Sequence, residues 1–127
     1  MGEFNLGLRH EDARGKIYDL VASDRLFELI ECKKNAPRGG HYHENQSILV
    51  VLHGALDYSE FDLEKGESSE VRKVISKGDV VRIGPRAVHM IVAKEDSLLI
   101  EWVDGKHEAV NYPPWRKKVG DFLARNR

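Results

Sequence analysis

Residues 47–53, SILVVLH, constrain the fold more than any other stretch of the chain. Read as a strand, with side chains alternating between faces, Ser47, Leu49, Val51 and His53 share one face and Ile48, Val50 and Leu52 the other. Both faces are largely apolar, and a strand covered on both sides fits a closed or double-layered β structure better than an open sheet. Residues 17–22, 26–33, 55–62, 70–76, 80–83, 87–93 and 97–103 are further short runs rich in β-branched, aromatic and aliphatic residues. Turn sequences such as Ser23-Asp24-Arg25, Lys77-Gly78-Asp79, Gly84-Pro85-Arg86 and Lys94-Glu95-Asp96 punctuate them. Short strands at this spacing predict an all-β sandwich or barrel. Residues 1–15 read as a polar lead-in, Pro37 as an interruption of strand pairing, and 55–62 as a strand in which Leu56, Tyr58 and Phe61 share a face only across a bulge. After Asp104 the pattern changes: Pro113-Pro114 can open a helix, in which Trp115, Val119, Phe122 and Leu123 recur at helical spacing. The expectation is one domain over residues 1–127, with a core barrel at about 17–103 and a C-terminal helix at about 113–125.

Charge narrows the function classes. Twenty basic against twenty-one acidic residues give a formal charge of −1 and supply no electrostatic footprint for nucleic acid or an anionic membrane. No apolar run is long enough to cross a bilayer, and the opening residues lack the basic-then-apolar order of a signal peptide. Cys32 has no second cysteine to pair with, which agrees with a reducing compartment, and a cytoplasmic protein is expected. Cys32 itself reads as a strand residue and not as a nucleophile.

The chemistry is concentrated in RGGHYH, residues 38–43. One residue separates His41 from His43, so on an extended strand both imidazoles point the same way. Gly39 and Gly40 let the backbone bend just before them. His89 follows a second glycine-punctuated strand pattern, and antiparallel pairing can bring it to the same interior point. Three neutral imidazoles with an open position suit a divalent first-row transition metal (zinc, iron, manganese or nickel) better than calcium or magnesium. Without metal, the same group can move protons. Arg38 and Arg86 are candidate anchors for a phosphate or carboxylate. His10, His53 and His107 read as structural, Ser47 offers no charge to a cation, and Glu44 or Gln46 are alternatives to water as a fourth ligand.

This pattern resembles the cupin superfamily, whose two motifs are built around His-x-His followed by a glutamate and a glycine, and around a glycine followed by Pro-x-Gly and a histidine. His41, His43 and Gly54 fall on the first, Gly78 and His89 on the second. Ser47 stands at the glutamate position, and Gly84 and Arg86 replace the second motif's proline and glycine. The resemblance implies a double-stranded β-helix, or jelly-roll barrel, with a short C-terminal helix. Within it, RGGHYH, the Asp12-Ala13-Arg14-Gly15 start and the PPWRKKV tail look like cupins acting in deoxysugar-nucleotide and capsular-polysaccharide biosynthesis. In the sugar-nucleotide 3,4-ketoisomerases the paired histidines are acid and base; in the capsular-polysaccharide cupin domains they bind zinc. Carried over, His41 and His43 are catalytic groups or ligands, and His89 completes a metal site. The leading expectation is a metal-binding isomerase or epimerase of a nucleotide-linked keto-deoxysugar. A metal-dependent dioxygenase and a non-enzymatic sugar-binding or small-molecule-binding protein are the alternatives. Such proteins commonly pair their barrels, and the stripe on residues 115–123 is a candidate homodimer surface.

Overall fold

The computed structural model describes residues 4–105 and 108–127; His107 lies outside the described residues, and so do the first three. Two antiparallel sheets face one another. The first has the order β1 (Phe4–Asp12), β2 (Gly15–Ala22), β3 (Arg25–Cys32), β10 (Ser97–Val103), β5 (Ser47–His53), β8 (Val80–Ile83). The second has the order β11 (Val110–Asn111), β4 (Pro37–Tyr42), β9 (Ala87–Ala93), β6 (Ala55–Asp62), β7 (Val71–Ser76). The chain closes with helix α1, Pro113–Arg125. Ile30, Leu49, Val51, Val81, Ile83 and Leu99 from the first sheet meet Leu56, Tyr58, Ile75, Ile91 and Ala93 from the second in one buried cluster. Each fully buried aliphatic side chain there contributes about 1.5–3 kcal/mol of transfer free energy. On β5 the inward residues Ser47, Leu49 and Val51 are buried, whereas Ile48 and Val50 are half-buried and Leu52 is exposed, so the outer face is less covered than its composition predicts.

The strand edges correct the sequence reading at three places. The polar lead-in is itself strand β1, paired with β2 from Phe4↔Ala22 to Asp12↔Gly15, so the barrel begins well before residue 17. Its alternation is carried by Leu6 and Leu8, which remain exposed and give no core signal. Pro37 does not interrupt pairing but begins β4 opposite Val92, a first-residue position where proline is tolerated. Strand β6 runs without a bulge against both neighbours; Leu56 and Tyr58 face inward, while Phe61 is buried on the opposite face against the rings of Tyr112 and Trp115.

The irregularity is in β4. Its register against β9 shifts between Gly39 and His41, with Arg38 opposite Ile91 and His41 opposite His89. Because Ile91 and His89 are two residues apart on β9, they share a face; the extra residue, Gly40, therefore keeps Arg38 and His41 both pointing inward. Both glycines are obligatory. At Gly39 (φ 98°) a Cβ would lie 2.6 Å from the His89 carbonyl oxygen, and at Gly40 (φ 71°) 2.9 Å from the Arg116 backbone. Helix α1 is fastened over this bulge: Tyr112 N–H donates to Gly40 O (2.8 Å) and Arg116 Nη1 to Gly39 O (2.8 Å). Pro113 and Pro114 open the helix as expected. Its apolar stripe covers the protein's own barrel, with Val119 buried and Phe122 packed on the core, and so does not supply the free surface expected for a dimer.

Candidate metal centre

The interior holds a cavity of about 300 Å³ lined by His41, His43 and His89, by Glu28 and Glu101, and by Arg9, Arg14, Arg38 and Arg116. The three imidazoles converge as the spacing predicts: each offers a ring nitrogen, and these nitrogens all lie within 4.8 Å of one another. Ring centroids are 4.8 Å apart for His41 and His89, 5.0 Å for His41 and His43, and 5.4 Å for His43 and His89. Carbonyl groups fix the tautomers of two rings. His43 Nδ1–H donates to Glu108 O (2.8 Å) and His89 Nδ1–H to Ala87 O (2.9 Å). A carbonyl only accepts, so each Nδ1 carries the proton and each Nε2 keeps the lone pair a metal needs. Burial pushes the His89 imidazole down to about 4, which holds it neutral at physiological pH. The donor set fits a divalent transition metal: three neutral nitrogens, oriented by backbone carbonyls, with no carboxylate of the described residues in the cluster. His41, His43 and His89 would hold such an ion, leaving positions for water or substrate.

Ser47 is buried to 1% exposure, and its Oγ has no hydrogen-bond partner among the described residues. Glu44 is exposed and Gln46 half-buried, and Glu44 does not join the histidine cluster. Arg38 is inward, 6% exposed; its Nε donates to Glu31 O (2.9 Å), while its Nη2 has no partner among the described residues. Burial, then the positive charge of Arg14, pulls the Arg38 guanidinium below its ordinary value. Arg86 lies outside the cavity lining, half exposed, with Nη1 3.2 Å from Glu64 and Nε 3.9 Å from Glu44. His10 is exposed and bonded to Asp12 (2.8 Å), and His53 is exposed, in keeping with structural roles. Cys32 is buried with its thiol donating to Ala36 O (3.3 Å), and burial raises its pKa, the opposite of a nucleophile's environment.

The Asp12-Ala13-Arg14-Gly15 sequence is the β1–β2 turn. Asp12 accepts from the Arg14 backbone (2.8 Å) and guanidinium (2.7 Å), which holds Arg14 at the cavity wall. Burial alone would raise the Asp12 carboxyl, but the hydrogen bonds from Arg14 and His10 bring it well below the usual carboxylate range. Sequence reasoning missed Arg14 and Arg116 as cavity residues, and it missed Glu28 and Glu101 altogether. Strand parity carried a signal for the last two: Glu28 alternates with Ile30 and Cys32, and Glu101 with Leu99, so each occupies an inward position in an otherwise apolar series. Burial pushes Glu101 up from 4.5 to about 8, with a further contribution from the neighbouring Glu28 charge.

No family model matches this sequence, and no curated protein matches it. Solved structures do. The capsular polysaccharide assembling protein CapF from Staphylococcus aureus is 18% identical with a TM-score of 0.71 over 86% of this chain and 34% of its own. A variant of Bacillus subtilis oxalate decarboxylase is 15% identical with a TM-score of 0.69, covering 84% and 30% of the two chains. The CENP-C domain of Drosophila melanogaster, in its complex with CAL1, is 16% identical with a TM-score of 0.65, covering 78% and 76%. This chain thus spans about a third of CapF and of the decarboxylase, and the likeness is one of architecture. Two facing antiparallel sheets, a His-x-His strand paired with a third histidine, and these neighbours together establish that the chain has the cupin fold.

Proposed function

We propose that the chain is a metal-dependent isomerase or epimerase of a keto sugar, in the form of a nucleotide-linked keto-deoxysugar. The observation that carries this is the convergence of three imidazoles, two with tautomers fixed by carbonyls, on a cavity that also presents buried arginines and carboxylates. His41, His43 and His89 would hold a divalent ion, which would supply a Lewis acid for a ketone oxygen. Arg38, Arg14 and Arg116 supply the cationic lining for an anionic part of the substrate, and Arg14 is engaged by Asp12. Similarity to CapF, a capsular polysaccharide assembling protein, supports a sugar as the substrate class. Arg86 pairs with Glu64 outside the cavity lining, and this reading gives the anchoring role to Arg38 and the other arginines that line the cavity.

Two measurements test the proposal. Elemental analysis of protein purified without a polyhistidine tag should find about one equivalent of transition metal; none after metal reconstitution would overturn the metal site. Incubation with a nucleotide-linked 4-keto-6-deoxyhexose in D2O should place deuterium on a carbon next to the ketone, and a substrate left unlabelled counts against isomerisation and epimerisation alike. A homodimer remains part of the proposal, with its surface moved from α1 to edge strand β1, where Leu6 and Leu8 are more than half exposed beside an unpaired backbone edge. Sedimentation of wild type against the Leu6→Glu, Leu8→Glu double variant tests it, since a monomeric wild type removes the dimer.

A further inference from the structure

Glu28 on β3 and Glu101 on β10 are register partners, neighbours on the same face of the first sheet, while the histidines His41 and His89 stand on the second. Both glutamates are buried, 7% and 8% exposed, and both line the cavity. Two carboxylates placed side by side in a barrel interior oppose folding if both are charged. Their surroundings separate them. Arg9, reaching from β1, pairs with Glu28 and also with Asp19 (2.9 Å). Glu101 makes no ion pair or hydrogen bond among the described residues, and Leu49 flanks it on β5; burial, with the charges of Glu60 and Glu101, raises the phenol of Tyr58. Around the same cavity stand the three histidines and Arg14, Arg38 and Arg116. One acid therefore has a cationic partner while its neighbour is flanked by an apolar residue, and such an asymmetry of surroundings is what divides base from acid between paired carboxyl groups.

We propose that Glu28 and Glu101 are the base and the acid of a proton-transfer pair that moves the carbonyl of a keto sugar in this cavity to the adjacent carbon. The assignment rests on the reading of the cavity as a keto-sugar site. Glu28 takes the proton from the hydroxyl-bearing carbon next to the ketone; the C–H electron pair becomes the C=C bond of an enediolate, and the ketone π pair moves to its oxygen. Glu101 then delivers its proton to the former ketone carbon. The remaining hydroxyl proton passes to the neighbouring oxygen, and the second carbon becomes the new C=O. No atoms are gained or lost, and transfer of a proton from Glu28 back to Glu101 resets the pair. Both glutamates stand on one wall and so reach one face of the enediolate. Inversion of a stereocentre needs removal and delivery on opposite faces, so the arrangement selects isomerisation over epimerisation within the proposed function.

The test follows a nucleotide-linked 4-keto-6-deoxyhexose in D2O by proton NMR, with metal content measured on every protein. Wild type should both exchange the substrate C–H and convert it. In Glu101→Gln the conversion should fall by about 100-fold or more, while exchange of the starting ketone persists, because the base is intact. In Glu28→Gln both should be lost. A merely structural pair would not split exchange from conversion. Equal conversion by Glu101→Gln and wild type overturns the assignment. Loss of metal from Glu101→Gln overturns it as well, since Glu101 would then serve the metal site. A wild type that neither exchanges nor converts the probe fails at the keto-sugar reading itself and takes the pair's role with it.

Discussion

The two walls of the cavity handle ionisable groups in opposite ways. On the histidine side burial lowers His89, and backbone carbonyls hold the protons of His43 and His89 on Nδ1. On the first sheet two acids are buried together, and Arg9 pairs with one of them. In the proposed reading the histidine wall is a ligand set whose geometry is fixed by the backbone. The glutamate wall is, in the same reading, a proton-transfer pair whose two members have different surroundings. A metal site requires the first kind of control, because ligands must be deprotonated and aimed. Proton transfer requires the second, because donor and acceptor must differ.

The largest expected difference between the walls is in metal content. His89→Ala should lose stoichiometric metal altogether while remaining folded, because two imidazoles alone leave a site too weak to survive purification. Glu101→Gln should keep a full equivalent. Elemental analysis of the two variants side by side checks this, and a His89→Ala protein that retains its metal would mean that the histidine wall does not bind it. The walls should also separate in legibility, and they do. His41, His43 and His89 are readable because strand parity and glycine punctuation are local patterns, and the cupin resemblance rests on the same residues. The fold class, strand β5 at residues 47–53 and helix α1 at 113–125 were readable for the same reason. Glu28 and Glu101 lie 73 positions apart and become neighbours only when β10 inserts between β3 and β5, a pairing that no local pattern announces. Strand β1 gives no core signal because its apolar residues Leu6 and Leu8 face solvent, and Phe61 suggests a bulge in β6 only because a buried aromatic breaks the alternation; it is buried beneath α1 on the other face.

Stability against pH should distinguish the walls next, in metal-free protein. The folded value of Glu101 is raised from 4.5 to about 8, so the native state binds the proton more tightly than the unfolded chain. Its contribution is fully present below 4.5 and is lost as pH rises through about 8, a change on the order of a few kcal/mol for a shift of this size. His89 acts on the acid side: its folded value is lowered from 6.5 to about 4, so stability falls as pH drops across that interval. Glu101→Gln should therefore show a constant offset from wild type below pH 4.5 and become progressively more stable relative to it up to pH 8. Denaturant titrations at four or five pH values measure this. Parallel curves across the whole range would show that Glu101 ionises as readily folded as unfolded.

The smallest effect is expected at Ser47, the position where the cupin pattern places a glutamate. Its side chain points inward on β5, in series with the cavity residue Leu49, and its Oγ is buried without a hydrogen-bond partner among the described residues. A hydroxyl left in that condition lowers stability by about 1 kcal/mol or more, because it gives up water and receives nothing in return. Ser47→Ala removes the hydroxyl and leaves a space of about one oxygen atom, so metal-free Ser47→Ala should melt no lower than wild type and up to a few degrees higher. Metal-loaded protein gives the sharper comparison. A Ser47 that plays no part at the ion predicts the same small gain with and without metal. A gain in the metal-free form that turns into a loss on loading would mean that Oγ orders a water on the ion, and the fourth position of the histidine wall would then be set by Ser47 through that water.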